Sequence, residues 1–484
     1  MNAPLRRLAA VIAVLFASLL ASSTWIQYMD AGKLNAKSTN TRTLFKEFGR
    51  DRGPILVNGA PIAQSVPSDD VYKYLRTYPG GQAYSQLTGY FSVIFGTSGL
   101  EQAEGSYLSG TADQLFYRRI SDLLTGRQPK GASVELTIQP KAQAAAWRGL
   151  GKQRGAVVAL DPKTGAILAM VSRPSFDANQ LASHDAAKVR AARKALLADP
   201  DKPLNNRAIG GDLYPPGSTF KIITSAAALS SGRYTQQSMI DAPDVLDLPQ
   251  TSADLQNFGG ERCSSTGKMT IADALRISCN TAFGALGMAL GDQALREQAQ
   301  KFGFGQDLSI PLTVTPSQFP AELNQPQTAQ SAIGQFDVRV TPLQMAMVSA
   351  AIANDGTLMR PEIVRAVRSS EVKVISQLTP QKLSEAVTPD VAEQLTSMME
   401  GVVESGTGTR AQIDGVKVAG KTGTAQHGEG EAPHAWFTAF APADDPQVAV
   451  AVVVEDGGQL GDEASGGRVA APIARQVMEA VLGT

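Results

Sequence analysis

The stretch Tyr214-Pro215-Pro216-Gly217-Ser218-Thr219-Phe220-Lys221 places a hydroxyl three positions before an amine, directly after a strong chain breaker. Pro215-Pro216-Gly217 cannot carry a helix forward from upstream, whereas the Ala-rich run from Lys221 to Leu229 favours one. The pattern predicts a helix starting at Ser218, with Lys221 one turn on and both side chains on one face. Taken alone, the same residues also read as an ordinary helix cap followed by an exposed lysine.

Two further short patterns follow in chain order, Ser278-Cys279-Asn280 and Lys421-Thr422-Gly423-Thr424. Each has a bland reading as a turn or a strand end, and the chain contains decoys for all three. Ser265–Lys268 sits in a polar turn, and Ser370–Lys373 reads as part of a strand, where positions three apart face opposite sides. Ser38-Thr39-Asn40 lies in a polar segment, and Lys163-Thr164-Gly165 is the tip of a hairpin between two apolar runs. Lys421 instead ends the strand-like run Val416–Ala425. Order and context separate the three patterns from their decoys.

A chain of 484 residues is long enough for two or three domains with a large core. A net charge of −1 provides no global field for nucleic acid, which is not expected as a partner. Two cysteines and three histidines are too few and too scattered for the usual ligand spacings, so no metal and no other cofactor is expected. His427 and His434 read as part of an exposed loop between two strands.

Residues 8–29 are apolar apart from small polar residues, and a helix of about 20 residues crosses a hydrocarbon core of roughly 30 Å. Arg6 and Arg7 precede it, which predicts a cytoplasmic tail over 1–7 and an extracytoplasmic chain after Asp30, in a single-pass plasma-membrane protein. A cleaved signal peptide is the alternative, but its apolar region is normally only about 7–15 residues long.

Residues 30–150 are polar and Gly-rich at first, ending in Val134–Ala146, which reads as a strand entering a helix. From residue 151 on, Gly155–Leu160 and Ala166–Val171 form a predicted hairpin. Val416–Ala425, Ala435–Ala441 and Gln447–Glu455 supply three late strands, and a last helix runs from about Arg468 to Leu482. Strands from both ends with a helical stretch between them define an α+β arrangement.

The ordered set SxxK, S-x-N and KTG is that of the penicillin-binding proteins and serine β-lactamases. The chain resembles a class B penicillin-binding protein, nearest its actinobacterial A subgroup. The opening hairpin, Asn205–Ala208 and Ala332–Ala346 resemble further family segments, the last a helix before the KTG strand with Phe336 in place of a common Gly. Arg52–Ala63 and Gly99–Gly110 look like the family's pedestal segments. The resemblance implies a five-stranded antiparallel sheet bordering an inserted helical subdomain over 151–484, a pedestal over 30–150 and a membrane anchor. The implied activity is D,D-transpeptidation of peptidoglycan through a Ser218 acyl-enzyme, inhibited by β-lactams, during growth or division. The implied partners are D-Ala-D-Ala stem peptides and a membrane glycan polymerase of the shape or division family.

A serine hydroxyl needs a base, and no histidine is placed to serve. Lys221 is the candidate if burial and a second cation, Lys421, lower its pKa from about 10.4. The resemblance adds the other roles. Ser278 shuttles a proton, Asn280 fixes Lys221 and the substrate backbone, and the Ser218 and Thr424 N–H groups form the oxyanion hole. Gly423 admits the substrate, while Lys421, Thr422 and Thr424 hold its terminal carboxylate. Cys263 and Cys279, both outside the membrane in this topology, read as a disulfide bracing Ser278 and Asn280, or else as two separate buried thiols. The motifs leave open a hydrolase using water as acceptor, a D,D-carboxypeptidase or a β-lactamase. A non-catalytic penicillin sensor or scaffold is the competitor from another class.

Overall fold

The computed structural model describes residues 2–29, 47–116, 125, 130–428 and 430–484. Two bodies result, one of residues 1–51 with 66–75 and one of residues 52–65 with 76–484. In the first, helix α1 (Asn2–Thr24) continues into a π-helical turn, and residues 3–29 are apolar and long enough to cross a membrane. The Ser38–Asn40 decoy lies outside the described residues.

Two large sheets organise the second body, beside several two-stranded ones. In one, strand β1 (Ile55–Val57) pairs in parallel with β2 (Ser133–Leu136), Ile55 opposite Val134. Helix α2 (Pro140–Leu150) follows, with proline in its first turn, where the missing N–H costs nothing. Strands β3 (Gly155–Leu160) and β4 (Ile167–Arg173) then form the expected hairpin around Asp161–Gly165. Helix α3 (Lys221–Ser230) carries the second residue of the SxxK pattern, and α4 (Asn280–Leu290) begins inside the S-x-N triplet. Every residue of α5 (Pro342–Ala353) is buried.

Strand β5 (Val364–Arg368) does not join the late strands. It pairs antiparallel with β2, Val367 opposite Val134, so the first sheet recruits a strand from more than 200 positions later in the chain. Ser370–Lys373 is the turn leaving β5, not a strand as the sequence suggests. Ser369 accepts backbone N–H groups there, and the next strand starts only at Val374.

The second sheet is completed by β6 (Ala419–Ala425), β7 (His434–Ala441) and β8 (Val448–Val454) in the order β6-β7-β8-β3-β4, antiparallel throughout. Both faces are covered, one by α5 and the other by α2 and the terminal helix α6 (Gly466–Leu482). This explains why β8 reads Val-Ala-Val-Ala-Val-Val-Val without a polar residue. Successive residues alternate between two cores, Val450, Val452 and Val454 on the α2–α6 side and Ala449, Ala451 and Val453 on the other. The α+β expectation, five-stranded sheet included, matches this architecture.

Beside the first sheet lies a buried ionic triad. Glu101 is 0% exposed and accepts from Arg52 Nε and Arg76 Nε, each at 2.6 Å. Arg52 also reaches the Glu101 carbonyl, and Arg76 Nη1 donates to the Arg52 carbonyl at 3.1 Å. Burial alone would raise the Glu101 carboxyl, but the Arg76 and Arg52 guanidiniums outweigh it and hold it below its ordinary value. Removing the shared acid strands two cations in the interior. Glu101→Ala is therefore expected to cost about 3–5 kcal/mol in denaturant unfolding, where a loss within experimental error would contradict the triad's role.

Candidate active site

The Pro215-Pro216 breaker produces a 3₁₀ turn, Gly217–Phe220, that leads straight into α3. Ser218 thus sits on a tighter turn than the expected α-helical start. Gly217 has φ of 53°, and a Cβ there would lie 2.7 Å from the Thr424 carbonyl. Only glycine lets this turn press against the KTG strand. Thr219 Oγ1 donates back to the Pro216 carbonyl at 2.7 Å and steadies the turn. Ser218, half-buried, lines a cavity of about 340 Å³ with Ser278, Asn280, Thr422 and Thr424. Larger cavities of about 600, 610, 520 and 480 Å³ lie elsewhere, and none of these is lined by any residue of the three motifs.

Lys221 and Lys421 are both fully buried. Lys221 Nζ donates at 2.7 Å to the Ser278 carbonyl and at 2.7 Å to Asn280 Oδ1, with Ser278 Oγ at 3.4 Å. Lys421 Nζ lies 2.8 Å from the same Ser278 Oγ and 2.9 Å from the Thr422 carbonyl. One serine hydroxyl therefore bridges two amines. Among the described residues neither lysine has a carboxylate partner, so burial is uncompensated. Burial first, and then the neighbouring Lys421 charge, pushes the Lys221 amine well below its ordinary value. Burial lowers Lys421 to about 7.

A neutral Lys221 has two N–H groups and one lone pair. The Ser278 carbonyl and Asn280 Oδ1 accept only, so they use both N–H groups, and the lone pair remains for a hydroxyl proton. The hydroxyl hydrogen-bonded to Lys221 Nζ is that of Ser278; among the described residues no hydrogen bond joins Ser218 Oγ to Lys221, and catalytic contacts often tighten only when substrate binds.

The backbone around the S-x-N triplet aims these groups. Ser278 has φ of 62°, a left-handed conformation that turns its carbonyl toward Lys221. Asn257 Oδ1 accepts the N–H groups of Asn280 and Thr281 at 2.8 and 3.1 Å, capping α4 from a distant loop. Asn280 Nδ2 donates to the Gln256 carbonyl at 3.1 Å, which orients Oδ1 toward Lys221. Cys263 and Cys279 form the expected disulfide, binding that loop to the triplet. Closing a loop of this length stabilises by about 3 kcal/mol in the chain-entropy account.

Other expectations are extended or corrected. A Cβ on Gly423 would lie 2.9 Å from the Pro216 carbonyl and 3.0 Å from Thr219 Cγ2, so the missing side chain also admits the nucleophile's turn. The segment 332–346 is not one helix. A helix ends at Ala332, a bent connection with Phe336 at φ 58° follows, and α5 starts at Pro342. Gln335 of that connection lines the cavity and pairs through its amide with the backbone of Gln426, both contacts at 3.2 Å. Thr407 joins the site through Thr422 Oγ1 at 2.6 Å. His434 is buried at the start of β7 instead of lying in an exposed loop. No motif marks Asn257, Gln335 or Thr407, because long connections bring them to the site.

Strand β6 is the edge of its sheet, with alternate N–H and C=O groups facing the cleft, where an extended peptide can add as a further strand. The pattern of the penicillin binding protein transpeptidase domain matches residues 155–479, and that of the penicillin binding protein A dimerisation domain matches residues 52–134. The chain belongs to the penicillin-binding protein transpeptidases, in class B. It is 46% identical to the peptidoglycan D,D-transpeptidase PbpA of Mycolicibacterium smegmatis, covering 100% of this chain and 99% of that one. The corresponding protein of Mycobacterium tuberculosis is 42% identical over the same shares. The structure of penicillin-binding protein A from M. tuberculosis in its ceftriaxone acyl-enzyme complex superposes with a TM-score of 0.88, covering 90% of this chain and 100% of that one.

The lysine pair carries a stability signature with a definite sign. Lys421 binds its proton at about 7 when folded and near 10.5 when unfolded, so between those values the unfolded chain holds more protons and stability rises with pH. Lys421→Met removes that dependence. Its melting temperature should exceed that of the wild type most at pH 7, with the difference closing toward pH 10. A difference independent of pH would contradict the buried, proton-poor amine.

Proposed function

We propose that this protein is a peptidoglycan D,D-transpeptidase in which Ser218 is the nucleophile and Lys221 its base. The observation that carries the reading is the Lys221 amine, stripped of carboxylate partners and held by two acceptors so that its lone pair is free. Lys221 takes the Ser218 proton as Oγ attacks the penultimate D-Ala carbonyl of a donor stem peptide. The oxyanion meets the N–H groups of Ser218 and Thr424, each such donor contributing on the order of 3–4 kcal/mol. Ser278, bridging both lysines, relays the proton from Lys221 to the departing D-Ala amine as the C–N bond breaks. A second stem amine then attacks the ester, returns its proton along the same path and frees Ser218. Asn280, Thr422 and Thr424 on the cavity wall hold the donor backbone and carboxylate, with Lys421 supplying positive charge from behind.

A β-lactam carbonyl presented to the same hydroxyl acylates it in the same way, and as the ring C–N bond breaks the leaving amine stays tethered to the adduct. In this reading residues 8–29 anchor the chain, with 1–7 inside and the transpeptidase domain, 151–484, outside the plasma membrane. Residues 30–150 form the pedestal. The apolar segment over 3–29 supports anchoring, and Arg6 and Arg7 support the orientation. A membrane glycan polymerase fits as the partner, because cross-linking needs freshly made strands.

Fluorescent penicillin should label the wild type and leave Ser218→Ala unlabelled, with the adduct on Ser218 persisting in time-resolved mass spectrometry. Labelling that survives the substitution would overturn the nucleophile, and an adduct lost within seconds would make the protein a hydrolase.

A further inference from the structure

Beyond the end of the KTG strand, three side chains converge that acyl transfer does not use. His427 follows β6 by two residues, His434 opens β7 opposite Ala425, and Asp456 follows β8. One ligand atom from each lies within 4.8 Å of the others. His427 Nε2 is 3.0 Å from Asp456 Oδ1, and His434 Nδ1 is 3.6 Å from the same oxygen. Four-coordinate zinc with bonds of about 2.0–2.1 Å sets neighbouring ligand atoms roughly 3.3 Å apart, so these separations bracket a tetrahedral edge. We propose that His427, His434 and Asp456 form a zinc-binding site that fastens the β6–β7 loop to the chain after β8.

The surroundings have the form that such sites need. A ligating histidine normally donates its other ring N–H to a carboxylate, which fixes the ring and strengthens the ligand. His427 Nδ1 lies 2.7 Å from Glu431 Oε2 and meets that requirement. Arg154 Nη2 takes the second oxygen of Asp456, leaving Oδ1 toward the two rings. The Ala432 carbonyl, 2.9 Å from His427 Nε2, offers a fourth ligand, a second oxygen, at the same point. His427 Nε2 thus faces both Asp456 Oδ1 and this carbonyl, the point where zinc would sit.

His434 Nδ1 accepts the Asp456 N–H at 3.1 Å, so its lone pair already points toward Asp456, and metal entry would displace that N–H. The two rings are stacked with centroids 3.7 Å apart. Both cannot bind one ion without splaying, and His427, on the loop, is the ring able to turn. Asp456 holds φ of 50°, a costly conformation for a non-glycine residue that aims its carboxylate between the loop and the strand end. Two nitrogens and an oxygen of this kind suit zinc better than calcium or magnesium, which take oxygen ligands. The intervals between the three residues match no usual ligand spacing, so the sequence hid them. Zinc here would brace the strand that bears Thr424 without touching Ser218.

The test uses the full-length chain in detergent, stripped with a chelator, equilibrated with zinc chloride, desalted and analysed for metal by mass spectrometry. Wild type is expected to retain one zinc per chain and to melt at a higher temperature with the metal bound. His427→Ala should lose the retained zinc and the shift while keeping fluorescent-penicillin labelling, which shows that it folds. Should that variant fail to label, Glu431→Gln on the exposed loop should weaken zinc about 10–100-fold. Cobalt in place of zinc should give the intense visible absorption of a four-coordinate site. Wild type that retains no zinc, or a labelling-competent His427→Ala that retains as much, overturns the site.

Discussion

Two lysine side chains, buried without a carboxylate between them, converge on one serine hydroxyl, and the rest of the site is organised around that expense. Holding an ammonium in an apolar interior costs several kcal/mol per ion even after relaxation. The protein avoids that cost by releasing a proton, and the neutral amine left behind is what makes an alcohol reactive. The amine is a base here because the fold denies it both water and a counter-ion.

The architecture serves this arrangement from both sides. Helix α3 is buried along nearly its whole length, so Lys221 enters the interior with its first turn and has no route to solvent. Strand β6 sits at the sheet edge, which leaves one rim open to an extended peptide while β7 and α6 bury Lys421 from behind. Asn257, the disulfide and the left-handed Ser278 set the third corner, turning a carbonyl and an amide oxygen onto Lys221. Glycines at 217 and 423 let the nucleophile turn and the edge strand meet backbone to backbone. Together these devices bring Ser278 to Lys221 and Lys421, which lie 57 and 143 positions from it in the chain.

Much of this could be read from residue order. The breaker before Ser218, the helix-forming run after Lys221 and the apolar late strands point to one sheet bordered by helices, because local propensity and burial agree there. The disulfide was one of two readings open to a pair of cysteines expected outside the membrane, the other being two separate buried thiols. Long-range placement was what the sequence could not convey. Val364–Arg368, with two arginines among five residues, pairs with Ser133–Leu136 and not with the apolar late strands, a choice made by tertiary packing and not by propensity. Asn257 and Gln335 look like turn residues, and only the closed fold shows one capping α4 and the other on the cavity wall. His434 reads as loop because Gly and Pro surround it, but pairing with Ala425 buries it.

The central claim is that Lys221 is an uncharged amine at neutral pH in the folded, substrate-free protein. Nuclear magnetic resonance of lysine labelled at the side-chain nitrogen, with Lys221 assigned by comparison with Lys221→Arg, reads that state directly. A signal at the position of a neutral amine at pH 7.5, moving to that of an ammonium only on acidification, is the predicted result. An ammonium signal that persists until pH 10 would mean that burial does not strip the proton, and the general-base account would fail with it.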